Sequence, residues 1–334
     1  MLDVKLSGAQ TFEKLTVFRL VAAGADDLPC DLLTDAMSAG TLTIGEVGQG
    51  SVPALVATNT GERAVLVLDG EQLIGSRQNR MTNRSILLPG HSQTEIPVFC
   101  MEQGRWHFTS TQMASAPQHS PVKLRKLARI AEARRADAGM AAAPESLREE
   151  QGAYWHDVAD TLKSVGADSA TGSLHAAYEA NLGRIAEFVA AFGSKSDQVG
   201  LLAFAGDAAL GLDILGAPRL YARVHERLLR GYVLDALEHA SKQRGTETTA
   251  PDAAAAQRYL DVLRDAPRHD APTAGTGTYH VLSGPVVGGE LLDDSSRLTH
   301  LSAFPATQRG THREPRATEP HVAPPSERRR HHRG

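Results

Sequence analysis

The segment 69–106, DGEQLIGSRQNRMTNRSILLPGHSQTEIPVFCMEQGRW, holds the residues best equipped for chemistry. Arg77, Arg80, Arg84 and Arg105 carry guanidinium forks, which hold phosphate or carboxylate groups through paired hydrogen bonds. Gln78 and Asn79 can hydrogen-bond a ribose or a base, and Trp106 can stack on a ring. Glu71 and Glu102 are the acid–base candidates. Two other uses of the same residues stay open. The arginines could pair with Asp69, Glu71 and Glu102 as a solvated surface network, whose pairs are individually worth little. They could instead clamp a β-sheet region to the helices as buried ion pairs.

Further candidates lie outside the segment. Cys100 sits beside Glu102 and could be a nucleophile, although a buried thiol acting as a small hydrophobe is the commoner case. Asp213 interrupts an apolar strand, where helix capping or edge exposure is expected ahead of a metal or base role. His280 and His300 fall on C-terminal strands. One of them could meet the polar face of the segment as a general base, against the commoner alternative of a core or edge histidine. His156 and Asp157 are neighbours on a helix and point about 100° apart, so they form no dyad by themselves.

The elements that must position these groups can be read from periodicity. Ala64–Leu68, Glu71–Ile74 and the alternating runs up to Cys100 read as strands, with turns at Asp69-Gly70 and Pro89-Gly90. Leu15–Leu20, Thr41–Val47 and Val52–Thr58 add strands, and 29–40 adds one short helix. Together they suggest an antiparallel sandwich or barrel. Residues 109–121 are polar and small. Val122–Ala138 is a basic helix with a narrow apolar stripe, expected to dock by the stripe and solvate its arginines, and Ala141–Ser146 is a link. Helices follow at Gly152–Ser164 and after Ser173. Val199–Ala205 and Ala208–Ile214 form a hairpin, followed by a long helix from Pro218 to about Lys242 and another over Asp252–Asp265. After a loop at 267–276, strands at 278–282, 285–292 and 298–304 are too few to stand alone and should return to the N-terminal sheet. The expected fold class is α+β: an N-terminal antiparallel β-sandwich-like region (1–110), a mainly helical middle with one hairpin (111–250), and a closing helix with strands (251–305). A basic tail (306–334) has seven Arg against three Glu and no Leu, Ile or Phe, and is expected to be disordered.

Composition narrows the function classes. The chain has 334 residues, 41% of them hydrophobic, and a net charge of −4. It can bury a sizeable core, and nucleic acid is not an expected partner. The absence of a long apolar run and of a signal-peptide pattern makes the cytoplasm the expected location, with no membrane partner. The two cysteines form no CxxC pair, so no zinc site of that kind is expected. The sequence contains no P-loop, HExxH or GxSxG pattern and no GxGxxG after a strand. The sequence leaves the cofactor unknown and indicates no metal ligands.

DGEQLIGSRQNR, IPVFCMEQGRW, QGAYWHDV from Gln151 and QVGLLAFAGDAALGLDIL from Gln198 together resemble the ARG and rhodanese-phosphatase-superfamily-associated protein domain family. ARG there stands for ADP-ribosylglycohydrolase. The matching blocks run from about Leu15 to Phe304. The resemblance implies a single domain and, through genomic association only, a link to NAD and ADP-ribose metabolism. It assigns no reaction. The functional expectation is therefore the binding of a phosphorylated small molecule, with its processing left open. Arg77, Gln78, Asn79, Arg80, Arg105 and Trp106 would contact the ligand, and Glu71 or Glu102 would act as acid or base. The alternative is a non-catalytic module that docks a protein partner.

Overall fold

A computed structural model describes residues 3–306, except 24, 26–27, 49–52, 142–143 and 244–248. The basic C-terminal tail lies outside the described residues. The chain opens with two long strands, β1 (Val4–Phe12) and β2 (Leu15–Ala22). Strand β3 (Cys30–Leu32), helix α1 (Leu33–Ser38), β4 (Leu42–Glu46), β5 (Ala54–Asn59) and β6 (Ala64–Val67) follow. The segment with the polar cluster supplies β7 (Glu71–Gly75), β8 (Arg80–Thr82), β9 (Ile86–Leu88) and β10 (Ser92–Cys100), and then comes β11 (Met113–His119). Four helices come next: α2 (Val122–Asp137), α3 (Pro144–Ser164), α4 (His175–Ala180) and α5 (Leu182–Ala191). A hairpin, β12 (Gln198–Ala205) and β13 (Ala208–Leu215), precedes α6 (Pro218–Lys242) and α7 (Ala253–Asp265). The described chain closes with β14 (Arg268–Ala271), β15 (Thr278–Leu282), β16 (Val286–Leu292) and β17 (Leu298–Pro305).

The fold is mixed α+β. An antiparallel eight-stranded sheet has the order β1-β2-β12-β13-β17-β16-β15-β14. It therefore joins the first strands, the hairpin and the C-terminal strands. A six-stranded sheet has the order β11-β7-β8-β10-β5-β4, and a three-stranded one β3-β6-β9. The pairing of β3 with β6 is parallel. Strand β12 is buried along its whole length because apolar clusters lie on both faces of its sheet. On one face its side chains meet α6, and on the other they join a cluster that includes Tyr259, Leu260 and Leu263 of α7. This accounts for its unbroken apolar sequence, since a strand with no solvent face has no reason to alternate.

Several expectations are corrected here. Residues 109–121 contain β11, which pairs with β7, and 267–276 contains β14, which pairs with β15. Both are edge strands, whose side chains need not be apolar. Helix α3 begins at Pro144, inside the expected link, and the helix expected after Ser173 is divided into α4 and α5 at Asn181. The basic helix α2 solvates only some of its basic residues: Arg134 is exposed, but two other arginines turn inward. Its Arg125 and Arg129 are among the largest fully buried side chains in the protein.

One glycine controls how α6 meets α2. A Cβ at Gly231 would lie 2.7 Å from the backbone oxygen of Ser120. The bare backbone lets α6 approach the 119–121 segment closely. One turn further on, Asp235 reaches the start of α2 and accepts the N–H groups of Val122 and Lys123. It caps α2 from another helix, where the N-terminal residue, Pro121, has no capping side chain.

Candidate functional site

Strands β7, β8 and β10 lie side by side, so Arg80 stands opposite Leu73 on one neighbour and Cys100 on the other. The 76–79 turn joins β7 to β8, and the segment after β10 folds back across it. Gly75 has φ +117°, and a Cβ there would meet the Ser110 hydroxyl at 2.4 Å, so glycine is required where the two segments cross.

Arg105 fastens that crossing. Its Nε donates to Glu102 Oε2 at 2.7 Å, and its Nη1 donates to the carbonyls of Ser76 and His107 and to Thr109 Oγ1. Its Nη2 donates to Asn79 Oδ1 at 3.0 Å and to the carbonyl of Gly75. Glu102 also accepts from Thr171 Oγ1 and from the Asn79 amide. Asn79 donates through Nδ2 to Ser173, and Gln78 donates through Nε2 to the carbonyl of Glu102. Arg105, Glu102, Asn79 and Gln78 are all buried. Their hydrogen-bonding groups are spent on holding the two segments together.

Arg80 differs. Solvent does not reach it, yet only Nη1 is bonded, to Gln78 Oε1 at 2.8 Å and Cys100 Sγ at 3.0 Å. Its Nε and Nη2 have no hydrogen-bond partner, and Nη2 stands 3.9 Å from Glu46 Oε1. That Glu46 oxygen accepts from Ser76 Oγ and the Arg77 amide, while Oε2 is buried and unbonded. The Trp106 ring lies 5.8 Å from the Arg80 guanidinium. Arg77 stands 5.7 Å from Trp106 and 4.4 Å from the Phe108 ring, and its Nε is buried without a partner. Trp106 is 39% and Phe108 54% exposed. A deep, partly unsatisfied guanidinium thus lies beneath an exposed rim of two rings and a second guanidinium.

Cys100 faces this group, but burial pushes its thiol up to about 11, partly offset by Arg80 and reinforced by Glu46. A thiol that holds its proton so firmly is a poor nucleophile.

The remaining sequence candidates lie elsewhere. Glu71 is paired with Arg227 of α6, Oε2 to Nη2 at 2.5 Å, and Arg227 also bonds Ser115 Oγ and the carbonyl of Ala116. Arg84 bonds Glu132 and the carbonyl of Pro272. A second buried cluster joins Asp69, Arg125, Asp213 and His300. Arg125 bonds both carboxylates, Tyr232 donates to Asp213, and Ser302 donates to Asp69. His300 contacts Asp213 through Nε2 at 3.1 Å and Ser85 Oγ through Nδ1 at 2.6 Å. Burial works against ionisation of Asp69 and Asp213, but Arg125 overcomes it and holds both carboxyls below the usual range. Asp213 is therefore neither a helix cap nor an edge residue, as its sequence context had suggested. One ligand atom from each of Asp69, Asp213 and His300 lies within 4.8 Å of the others, close enough together for a metal. Arg125 already supplies the positive charge between the carboxylates, so the donor set does not fit an added cation.

Sequence reading missed Glu46 and Phe108. Glu46 ends an ordinary alternating strand, and nothing local signals that it faces Arg80. No helix among the described residues is long and apolar enough to cross a membrane. Nothing among curated proteins matches the chain, and no solved structure does. One family model matches residues 3–304, nearly the whole described chain. The chain belongs to the family described as the ARG and Rhodanese-Phosphatase-superfamily-associated Protein domain.

Proposed function

We propose that the protein binds a small phosphorylated ligand at the rim formed by Arg77, Trp106 and Phe108, above Arg80. The observation that carries this reading is the buried, unbonded Nε of Arg77, whose guanidinium stands against the exposed Trp106 and Phe108 rings. A buried donor without a partner costs about 1–3 kcal/mol, more for a charged group, and native proteins rarely leave one without reason. Arg77 is the phosphate holder, placed at the rim with its own Nε unbonded. Trp106 and Phe108 offer ring faces. Gln78 and Cys100 orient Arg80, while Arg105, Asn79 and Glu102 are positioning residues that brace the crossing segments. The carboxylates of Glu71 and Glu102 are already paired, which favours binding over acid–base catalysis. The association in the family's name makes ADP-ribose and NAD the first ligands to test.

Thermal-shift measurements on the full chain with ADP-ribose, NAD and AMP test the reading, because a ligand of the native state raises the melting temperature by mass action. A shift that disappears in Arg77→Ala and Trp106→Ala supports it. No shift with any of the three overturns it. A second reading, a non-catalytic module that docks a protein partner, rests on the exposure of Trp106 and Phe108. It predicts that both rings become protected in a complex and that no small ligand binds.

A further inference from the structure

We infer that the Arg80–Glu46 pair reads the edge of a planar group that presents a hydrogen-bond acceptor beside an N–H donor, as a nucleobase or a carboxamide does. This rests on the reading of the rim above as a ligand site. Nε and Nη2 form one edge of the Arg80 guanidinium, the edge whose two parallel N–H groups make fork contacts. Both are buried and unbonded. Glu46 Oε2 is likewise buried and unbonded, on a carboxylate whose other oxygen lies 3.9 Å from Nη2. Arg80 and Glu46 are thus a buried ion pair that leaves two donors and one acceptor without hydrogen bonds.

That pairing excludes the simpler ligands. A phosphate against Arg80 would be repelled by Glu46 and would leave Oε2 without a donor. A cation at Glu46 would leave the fork empty. A group carrying an acceptor and an N–H donor side by side satisfies all three orphan groups at once. The Trp106 ring lies 5.8 Å from the Arg80 guanidinium and supplies a stacking face, sequence-tolerant because every base has a π-face. Admission of a ring requires the side chains over the pair to move aside, since all three unbonded atoms are buried. Trp106 is 39% exposed, so part of its ring faces solvent. The ligand would lie with its planar end inward against Arg80 and Glu46 and its phosphate outward on Arg77.

Calorimetric titration with AMP, nicotinamide mononucleotide and ribose 5-phosphate tests the inference. AMP carries a nucleobase, nicotinamide mononucleotide a carboxamide, and ribose 5-phosphate neither. The expected result is that at least one of the first two binds about tenfold or more tighter than ribose 5-phosphate, the scale of a hydrogen bond to a charged group. Which of them binds tighter identifies the source of the planar edge. Glu46→Gln should remove most of that advantage, and Trp106→Ala should do the same. Glu46→Gln keeps the side-chain shape and an acceptor for Ser76, and Trp106→Ala acts at a part-exposed ring, so either variant serves if the other fails to fold. Equal binding of all three probes, or an advantage that survives both variants, overturns the inference and leaves the phosphate reading standing. If none of the three binds, both readings fall.

Discussion

Arg125 of α2 and Asp213 of β13, neither reached by solvent, meet through two hydrogen bonds of 2.9 and 2.5 Å. Asp69 grips the same guanidinium at 2.8 Å, and the Phe304 ring lies 5.0 Å from it. Removing Asp213 leaves Asp69 as the remaining carboxylate on Arg125, so the loss is that of hydrogen bonds to a charged group, about 1.5–3 kcal/mol. Asp213→Asn should therefore lower the urea midpoint by that equivalent with the slope unchanged. A loss under about 1 kcal/mol would show that the pair is dispensable.

Asp235 should make stability depend on pH. Burial and the nearby Glu238 raise its carboxyl to about 7, against the N–H groups of Lys123 and Val122 and the Lys123 charge, which favour ionisation. The folded value lies above the ordinary 3.8, so the folded state holds the proton more tightly than the unfolded chain. This contribution to stability is full below about pH 4, declines as pH rises towards 7, and is flat above that. Asp235→Asn should remove the decline, as read from melting temperatures between pH 4 and 8. A slope unchanged in the variant would assign it to another group.

Gly231→Ala sets two effects against each other. Alanine improves the helix propensity of α6 by about 1 kcal/mol. The new Cβ, however, would sit 2.7 Å from the Ser120 backbone oxygen, which is not the end of a flexible side chain. Overpacking of this kind costs about 1–3 kcal/mol. The net expectation is destabilisation, with loosening of the α2 start that Asp235 caps. A rise in melting temperature would contradict it.

Cys100 should resist thiol reagents in the native protein. Its sulfur is buried between Arg80 and Gln78, and its thiol is held protonated up to about pH 11. An aromatic disulfide reagent at pH 8, with the products located by mass spectrometry, should label Cys100 only after denaturation. Labelling within seconds of mixing would show that the Arg80 group is open to solvent.

Local pattern was enough for the elements whose signals are local. The β12–β13 hairpin announces itself by two apolar runs around Gly206-Asp207, and the three C-terminal strands β15, β16 and β17 by their β-branched and aromatic content. Strand β1 escaped notice because it is an edge strand with a pairing irregularity between Leu6 and Ala9 and no fully buried residue. The burial of Arg125 could not be read from α2, because its partners Asp69 and Asp213 are 56 and 88 residues away. The polar segment was visible as a cluster, but which of its groups stay unbonded depends on Glu46, Thr171 and Ser173 from distant parts of the chain. Chemical type is written locally, whereas satisfaction of a polar group is a property of the assembled fold.

The order of the eight-stranded sheet has a bearing on how the protein is made. Strand β2 pairs with β12, placing Arg19 opposite Leu201, and β13 pairs with β17, placing Asp213 opposite Ser302. A ribosome must synthesise well over half the chain before β2 finds that neighbour, and nearly all of it before β13 does. Until then β2 presents an open hydrogen-bonding edge to whatever is nearby. Such long-range pairings carry the loop-closure cost that slows folding. The nascent chain should therefore depend on protection from chaperones through most of its translation, and fragments that end before Leu298 should aggregate where the full chain folds.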